Sequence, residues 1–208
     1  MQRFKFQLTL FSLIISMAVG AQENQTIFNS AGVRNSGGYG ALANKFTSIN
    51  GMFANVPEIY GGWFINKSFL LGFEGAASTN YIPVPLEHQD WNGNKMTYQY
   101  GQFGLMTEYV IGSYKKVHAN LNLVSGAGFV LQYDRDSYSN WHFEEHRTKS
   151  YFFMVLEPGI QLEFNLLDWM RFSPGISYRR AFGSGAPGLT DDKLSGLSGN
   201  LTMKFGHF

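Results

Sequence analysis

The sequence predicts an all-β protein: a single eight-stranded antiparallel up-and-down transmembrane β-barrel with a filled polar interior. Three observations lead to this prediction. Apolar and polar residues alternate along about eight stretches of strand length. The polar positions mix charged residues with glycine instead of the lysine, glutamate and threonine of a solvated face. Short and long connections alternate between the stretches, as in small outer-membrane barrels.

The composition agrees with a strand-rich envelope protein. The chain has 208 residues, 24 of them glycine, and aromatic residues make up 16%. Charged residues are only 15%, against about 25% in ordinary soluble domains. A formal net charge of +1 offers no electrostatic attraction for nucleic acid. Because cysteine is absent, disulfides and thiolate metal sites are excluded.

The N-terminal segment has the pattern of a secretory signal. Arg3 and Lys5 precede an apolar run over residues 8–19, and small residues follow. The alternative, a membrane-anchoring helix, would have an unusually short apolar core. We therefore expect residues 1–21 to be a signal peptide that is removed, 22–35 a short periplasmic segment, and 36–208 the barrel.

The first four predicted strands are separated by clear turn and loop signals. They cover residues 36–49, 52–65, 68–80 and 97–111. Asn50-Gly51 is a strong hairpin signal between the first two strands, and residues 66–67 form a second tight turn. A long polar loop at residues 83–96 precedes the fourth strand.

The last four predicted strands continue the alternation of connections. The fifth covers residues 117–133, the sixth and seventh share residues 156–180 around a turn at 166–169, and the eighth covers 195–208. Residues 112–116 form a short connection, whereas 134–149 and 183–193 form long ones. Short turns on the periplasmic side and long loops outside are typical of these barrels, and Asn50-Gly51 is an exception among the outer connections.

Charged residues on the polar face predict a network inside the barrel. Opposite charges on neighbouring strands can neutralise one another in a dry interior, where an unpaired charge is costly. Glu157 and Glu163 on the sixth strand are therefore expected to lie beside Arg171 and Arg179 on the seventh. The predicted lumenal network comprises Glu74, Glu108, Glu157, Glu163, Arg171, Arg179 and Lys204.

Aromatic residues near the strand ends predict two membrane-interface girdles. Trp63, Tyr109 and Trp169, with Tyr114, flank the tight turns. The long loops are flanked by Tyr81, Tyr98, Tyr133 and Tyr151. The alternative is aromatic core packing in a soluble, lipocalin-like barrel.

The stretches GGYGALANKFTSINGMF and YGGWFINKSFLLGFEG, together with the closing KFGHF, support a family resemblance. They resemble small, mostly uncharacterised outer-membrane β-barrel proteins of Bacteroidetes-type bacteria. The resemblance implies the fold and location in the outer membrane of a Gram-negative cell, and it implies no activity. Tyr60 stands where a basic residue is expected before Gly-Gly-Trp.

Phe208 resembles the terminal aromatic residue that the barrel-assembly machinery reads in outer-membrane proteins generally. It has the opposite parity to Leu201, Met203 and Phe205, which form the apolar face of the last strand. Either a bulge intervenes or the last residues leave the sheet.

Candidates for chemistry are weak. His142 and His146, with Glu144 and Glu145, occupy a long polar loop and could bind zinc, but a solvated polar loop is the favoured interpretation. Ser125 and His118 lie on opposite faces of one strand, so they do not form a nucleophile and base pair. We expect no cofactor and no enzymatic activity.

The predicted function is a structural or interaction role through the extracellular loops, as an accessory subunit of an envelope complex. The expected partners are outer-membrane lipid and lipopolysaccharide, the barrel-assembly machinery during biogenesis, and an unidentified protein, with no nucleic acid. The alternative is a lipid A-modifying or metal-dependent enzyme at the barrel rim. A porin is not expected, because side chains just fill the interior of about eight strands.

Overall fold

Antiparallel strands form most of the chain that the computed structural model describes, which comprises residues 37–65, 68–89, 96–134 and 149–208. These residues also contain a 3₁₀ turn at Leu86–His88 and a one-turn helix, α1, at Asp191–Leu194. In this part of the chain no helix has the length and hydropathy needed to cross a membrane. The strands are β1 Gly37–Ile49, β2 Met52–Ile65, β3 Phe69–Ala77, β4 Ile82–Pro83, β5 Met96–Ile111, β6 Val117–Asp134, β7 Lys149–Leu167, β8 Met170–Phe182 and β9 Gly196–His207.

The pairings of the long strands form a closed ring. Consecutive long strands pair with each other, β3 pairs with β5, and β1 pairs with both β2 and β9. Each of the eight long strands in the described residues thus has two neighbours, which removes exposed strand edges. The two-residue β4 adds a short pairing with Thr97 and Tyr98 of β5. The predicted all-β antiparallel class is confirmed, and β4 lies within a connection predicted to be loop.

The hairpin between β1 and β2 is a tight turn, as its sequence predicts. Asn50 has φ 54° and Gly51 has φ 74°. Two consecutive positive φ angles are those of a type I′ turn, whose twist matches that of the flanking strands, and they explain why Asn-Gly stands there. The strand β7 is longer than the sequence suggests, since it begins at Lys149.

The two faces of each strand differ sharply, and the apolar face is the exposed one. Ile59 and Phe73 are 64% and 73% exposed, whereas their neighbours Glu58 and Glu74 are buried. The parity expected from the sequence therefore holds, with charged residues inside and apolar residues outside. This is the reverse of a soluble sheet, whose polar face is in water.

Glycines on the inward face bring neighbouring strands close together. Gly104 on β5 lies opposite Gly126 on β6. An added Cβ at Gly104 would lie 2.6 Å from the carbonyl oxygen of Ser125, which is closer than Cβ atoms approach other atoms in proteins. Small residues at these positions leave room for long charged side chains from the opposite wall.

Apolar clusters close the interior at both ends. The upper apolar cluster, at the end of the ring that bears the long connections, takes Leu189 and Leu194 from the β8–β9 connection. These two side chains pack with Ile82, Val84 and Tyr98. The side chains of the charged network are held between this cluster and a second one.

The lower apolar cluster lies at the opposite end, called the tight-turn end because it holds the β5–β6 and β7–β8 turns, and it includes Tyr39, Phe64 and Leu70. Phe208, immediately after β9, packs against it, with ring centroids 5.5 Å from Tyr39 and 6.4 Å from Phe64. The ring of Phe208 thus turns inward, on the same parity as Lys204. The opposite parity seen in the sequence reflects this inward position.

Candidate functional site

Two groups of buried charges occupy the interior between the apolar clusters. The upper charge cluster consists of Lys45, Glu58, Glu74 and Glu157. The lower charge cluster consists of Glu108, His118, Glu163, Arg171 and Lys204. All nine side chains are buried.

Lys45 is the centre of the upper charge cluster. Its ammonium nitrogen lies 3.1 Å from Glu157 Oε2, 3.2 Å from Glu58 Oε1 and 3.9 Å from Glu74 Oε2. Three strands, β2, β3 and β7, thus present a carboxyl group to one lysine of β1. Such contacts offset the cost of removing the charges from water only when hydrogen bonds complete the geometry.

Hydrogen-bond donors complete the surroundings of Glu157. Ser177 donates to Glu157 Oε1 at 2.6 Å. The amide of Gln102 donates to Glu157 at 2.9 Å and to Glu74 at 2.7 Å, which links two carboxyl groups. The hydroxyl of Tyr100 in turn donates to Gln102 Oε1 and orients this amide.

Lys204 joins the two carboxylates of the lower charge cluster. Its ammonium donates to Glu108 at 2.9 and 3.1 Å and also to Glu163. Arg171 donates to Glu163 Oε2 at 3.1 Å. The hydroxyl of Tyr39 donates to Glu108, so that the lower apolar cluster is tied to the charges above it.

His118 connects this cluster to a tight turn. Its Nε2 lies 2.7 Å from Glu163 Oε2, and its Nδ1 lies 3.1 Å from the carbonyl oxygen of Lys115 in the β5–β6 turn. Asn120 donates to the other oxygen of Glu163 at 2.8 Å. Glu163 therefore contacts four different polar side chains, which holds β6, β7, β8 and β9 in register at this level.

Arg179 differs from the expectation that it lies beside a carboxylate of β7. Its Nε donates to the carbonyl oxygen of Leu194 at 2.6 Å, and its Nη2 donates to that of Ser48 at 3.4 Å. Its guanidinium carbon lies 4.7 Å from the centre of the Tyr100 ring. Arg179 thus holds the β8–β9 connection and the end of β1 against the upper apolar cluster, while Arg171 contacts Glu163.

The predicted network omits the residue at the centre of the upper cluster. That residue is Lys45, which shares the parity of Tyr39 and Ala41, opposite Leu42 and Phe46. This parity is the signal by which the sequence could have identified it. The predicted set also lacks two further members of the buried clusters, Glu58 and His118.

The aromatic residues near the tight turns face outward. Trp63, Tyr109 and Trp169 are all more than half exposed. At the opposite end Tyr81 is exposed, but Tyr98 is buried in the upper apolar cluster and Tyr151 packs against it. The expected outer girdle of tyrosines is therefore wrong for these two, and the exposed aromatic residues there include Phe46, Phe53, Phe152 and Phe182.

The weak metal candidates His142 and His146 lie outside the described residues. Within the described ranges, no group of three histidine or acidic side chains is placed to hold a metal ion. The chemistry that the buried clusters supply is charge neutralisation and strand-to-strand hydrogen bonding.

Comparison with known proteins places this geometry in a fold group. No protein-family model and no curated protein sequence matches the chain. Neisserial surface protein A has a similar structure, with a TM-score of 0.53 and 10% identity over 82% of this chain and 96% of that chain. A major outer membrane protein from Thermus thermophilus gives a TM-score of 0.52 and 10% identity, over 81% and 99%. The chain therefore has the fold of small outer-membrane β-barrel proteins.

Proposed function

We propose that the chain is an integral protein of a bacterial outer membrane, an eight-stranded transmembrane barrel with a structural or interaction role. One observation carries this proposal: the closed ring of strands exposes its apolar face and buries its charges. The similar structures support the fold, and the membrane location rests on the chemistry of this surface.

The exposed apolar side chains lie on the outward face of every long strand and form a belt around the ring. A typical monomer exposes a largest apolar patch of roughly 300–600 Å², and removing apolar surface from water gains about 25 cal/mol per Å². Contact with the acyl chains of lipids would remove this belt from water and so avoid the unfavourable free energy of its hydration. The belt includes Leu42, Ile59, Leu71, Phe73, Phe103, Leu105, Leu121, Ile160, Ile176 and Leu201.

Aromatic residues support an orientation across the membrane. Trp63, Tyr109 and Trp169 mark the edge of the belt at the tight-turn end, and Phe46 and Phe53, stacked 6.3 Å apart, mark the opposite edge. Aromatic belts lie at membrane–water interfaces. In this orientation the end of the ring with Trp63, Tyr109 and Trp169 faces the periplasm, and the end with the Asn50-Gly51 turn and the β8–β9 connection faces outward.

The filled interior favours interaction over transport. Apolar clusters close both ends, and buried charges occupy the space between them. The long connections are then the parts that can reach a partner. We infer that they act in an accessory subunit of an envelope complex, in contact with lipopolysaccharide and with an unidentified protein, after export by the N-terminal signal and insertion by the barrel-assembly machinery.

Fractionation and surface labelling test this proposal. The chain has no native cysteine, so single cysteines are clean probes. Ser184→Cys, in the β8–β9 connection, should react with an impermeant reagent on intact cells, whereas Ser113→Cys, in the β5–β6 turn, should react only after the outer membrane is permeabilised. The protein should fractionate with the outer membrane and migrate faster unboiled than boiled. Recovery from the periplasm without detergent would contradict the membrane location.

A deletion strain separates the interaction role from the enzymatic alternative. We expect the lipid A of the deletion strain to be unchanged. In repeated purifications, one envelope protein should be recovered with the wild-type chain but not with a variant that lacks residues 183–190. Altered lipid A that the wild-type gene restores would favour a lipid-modifying enzyme instead.

A further inference from the structure

Two buried carboxyl oxygens of the upper charge cluster accept no well-oriented hydrogen bond within the described residues. They are Glu58 Oε1 and Glu74 Oε2. The two side chains are 3% and 0% exposed. A buried oxygen that accepts no hydrogen bond is costly, and here two such oxygens belong to acidic groups on neighbouring strands.

The cations of this region do not balance its three carboxyl groups. Lys45 is shared among Glu58, Glu74 and Glu157, and it lies farthest from Glu74, at 3.9 Å. Glu157 also accepts from Ser177 and Gln102 and is well suited to remain ionised. Arg179, the other cation of the upper half, donates to backbone carbonyls.

Glu58 pairs with Ala76 across β2 and β3, so Glu74 is its diagonal neighbour on the same inward face. The two oxygens that accept no hydrogen bond are those that face Lys45, at 3.2 Å and 3.9 Å. Long side chains at diagonal positions of a sheet reach each other, so a hydrogen bond can join the two carboxyl groups. Two ionised carboxylates have only acceptor atoms and cannot form such a bond, whereas one proton makes it possible. Carboxyl groups that share a site in this way hold one proton, because both cannot be charged at short range in a dry environment. We propose that Glu58 and Glu74 share one proton and form a carboxyl–carboxylate pair beside Lys45.

The groups that face the pair come from every adjoining strand. Lys45 of β1 and Arg179 of β8 favour ionisation of the pair. Glu157 of β7 and burial oppose it. Tyr60 of β2 lies opposite Glu74, and Gln102 of β5 donates to Glu74. Tyr100 and Ser177 complete the neutral surroundings through their hydrogen bonds to Gln102 and Glu157.

The shared proton makes the barrel sensitive to alkali. A glutamate in the unfolded chain loses its proton near pH 4.3. The folded protein keeps one more proton above that pH, so its stability falls as pH rises until the pair itself ionises. A difference of one proton changes the ratio of folded to unfolded protein about tenfold per pH unit.

Unfolding of the full chain refolded in detergent micelles tests this dependence. We would measure urea unfolding of the wild type, Glu74→Gln and the control Glu163→Gln from about pH 5 upward, above the unfolded glutamate pKa. The ratio of folded to unfolded wild-type protein should fall about tenfold per pH unit relative to that of Glu74→Gln. Glu163→Gln should keep the wild-type slope. Parallel profiles for wild type and Glu74→Gln would overturn the proposal.

Infrared spectroscopy tests the proton directly and does not require the variants to unfold reversibly. The wild type at neutral pH should show the carbonyl band of a protonated carboxyl group. Glu58→Gln and Glu74→Gln should both remove it, and Glu163→Gln should retain it. A wild-type spectrum without this band overturns the proposal. The proposal is also overturned if the free energy of unfolding depends on sodium concentration at fixed pH and not on pH, because a bound cation would then neutralise the pair.

Discussion

The guanidinium carbon of Arg179 lies 4.7 Å from the centre of the Tyr100 ring, in the geometry of a cation–π contact. Arg171, on the same face of β8, instead donates to Glu163 at 3.1 Å. Two arginines with the same parity thus have different partners at different heights of the barrel. This difference leads to a double-mutant test.

The two arginines should couple differently to Glu163. Arg171→Ala and Glu163→Gln remove the two sides of one contact, so we expect an interaction energy of about 0.5–3 kcal/mol. Arg179→Ala and Glu163→Gln should be additive within about 0.5 kcal/mol, because they have separate partners. Urea unfolding of the single and double variants in micelles gives both values. Strong coupling between Arg179 and Glu163 would contradict the observed contacts.

A charge placed on the apolar belt should destabilise the protein in a membrane. Ile176, in the middle of β8, is 55% exposed. If it lies near the bilayer midplane, Ile176→Arg should cost about 2–4 kcal/mol, whereas the control Ile176→Leu should cost little. Unfolding from lipid vesicles measures the difference. Equal stability of the two variants would indicate that no hydrocarbon contacts this position.

Adjacent residues of β7 should differ in their access to lipid. The side chain of Leu162 is exposed on the outer face, and that of Gln161 is buried inside. Leu162→Cys should react with a reagent dissolved in the acyl chains, and Gln161→Cys should resist it. Mass spectrometry of the labelled protein in vesicles gives both yields. The opposite pattern would reverse the assignment of inside and outside.

The β8–β9 connection should loosen in acid. Asp191 accepts hydrogen bonds from the backbone N–H groups of Ser184 at 2.7 Å and Gly183 at 2.9 Å. These bonds hold the pKa of Asp191 below the usual aspartate value. Their contribution to the stability of the β8–β9 connection is therefore complete above about pH 3.9, and it is lost as pH falls through the lowered pKa of Asp191.

Pulse proteolysis of residues 183–190 across the acidic range, with an acid-active protease, measures this loosening. Asp191→Asn should be cleaved readily at every pH, because its amide oxygen cannot replace both acceptors. A wild-type chain that is protected equally at all pH values would contradict the role of Asp191.

The sequence predicts which face of the sheet a residue occupies, but it does not predict which side chain that residue contacts. Alternation with period two places Glu163 and Arg171 inside, because every second side chain points the same way. It does not determine how far a long side chain reaches along or across the interior. Lys45 and Glu157 are 112 positions apart in the chain, and their contact depends on closure of the whole ring.

The prediction of the outer girdle is wrong for a related reason. Tyr98 has the inward parity of β5, and its hydroxyl donates to the carbonyl oxygen of Pro187 in the β8–β9 connection. The alternation of residues along a strand does not show that the β8–β9 connection packs over the end of the ring and accepts this hydrogen bond. Proximity to a long loop is therefore a weaker guide than parity.

The distribution of buried charges along the chain has a consequence for assembly. Among the described residues, five carboxyl groups are buried, and they lie on β2, β3, β5 and β7: Glu58, Glu74, Glu108, Glu157 and Glu163. Of the buried lysines and arginines in these residues, only Lys45 precedes β8. Arg171, Arg179 and Lys204 arrive with β8 and β9. A barrel that lacks these last two strands would have several carboxylates without a cation in its interior, and their transfer from water into a bilayer would be costly in free energy. The final two strands supply three of the four buried lysines and arginines of the described residues, so most of the charge compensation is reached only when β9 pairs with β1 and the ring closes.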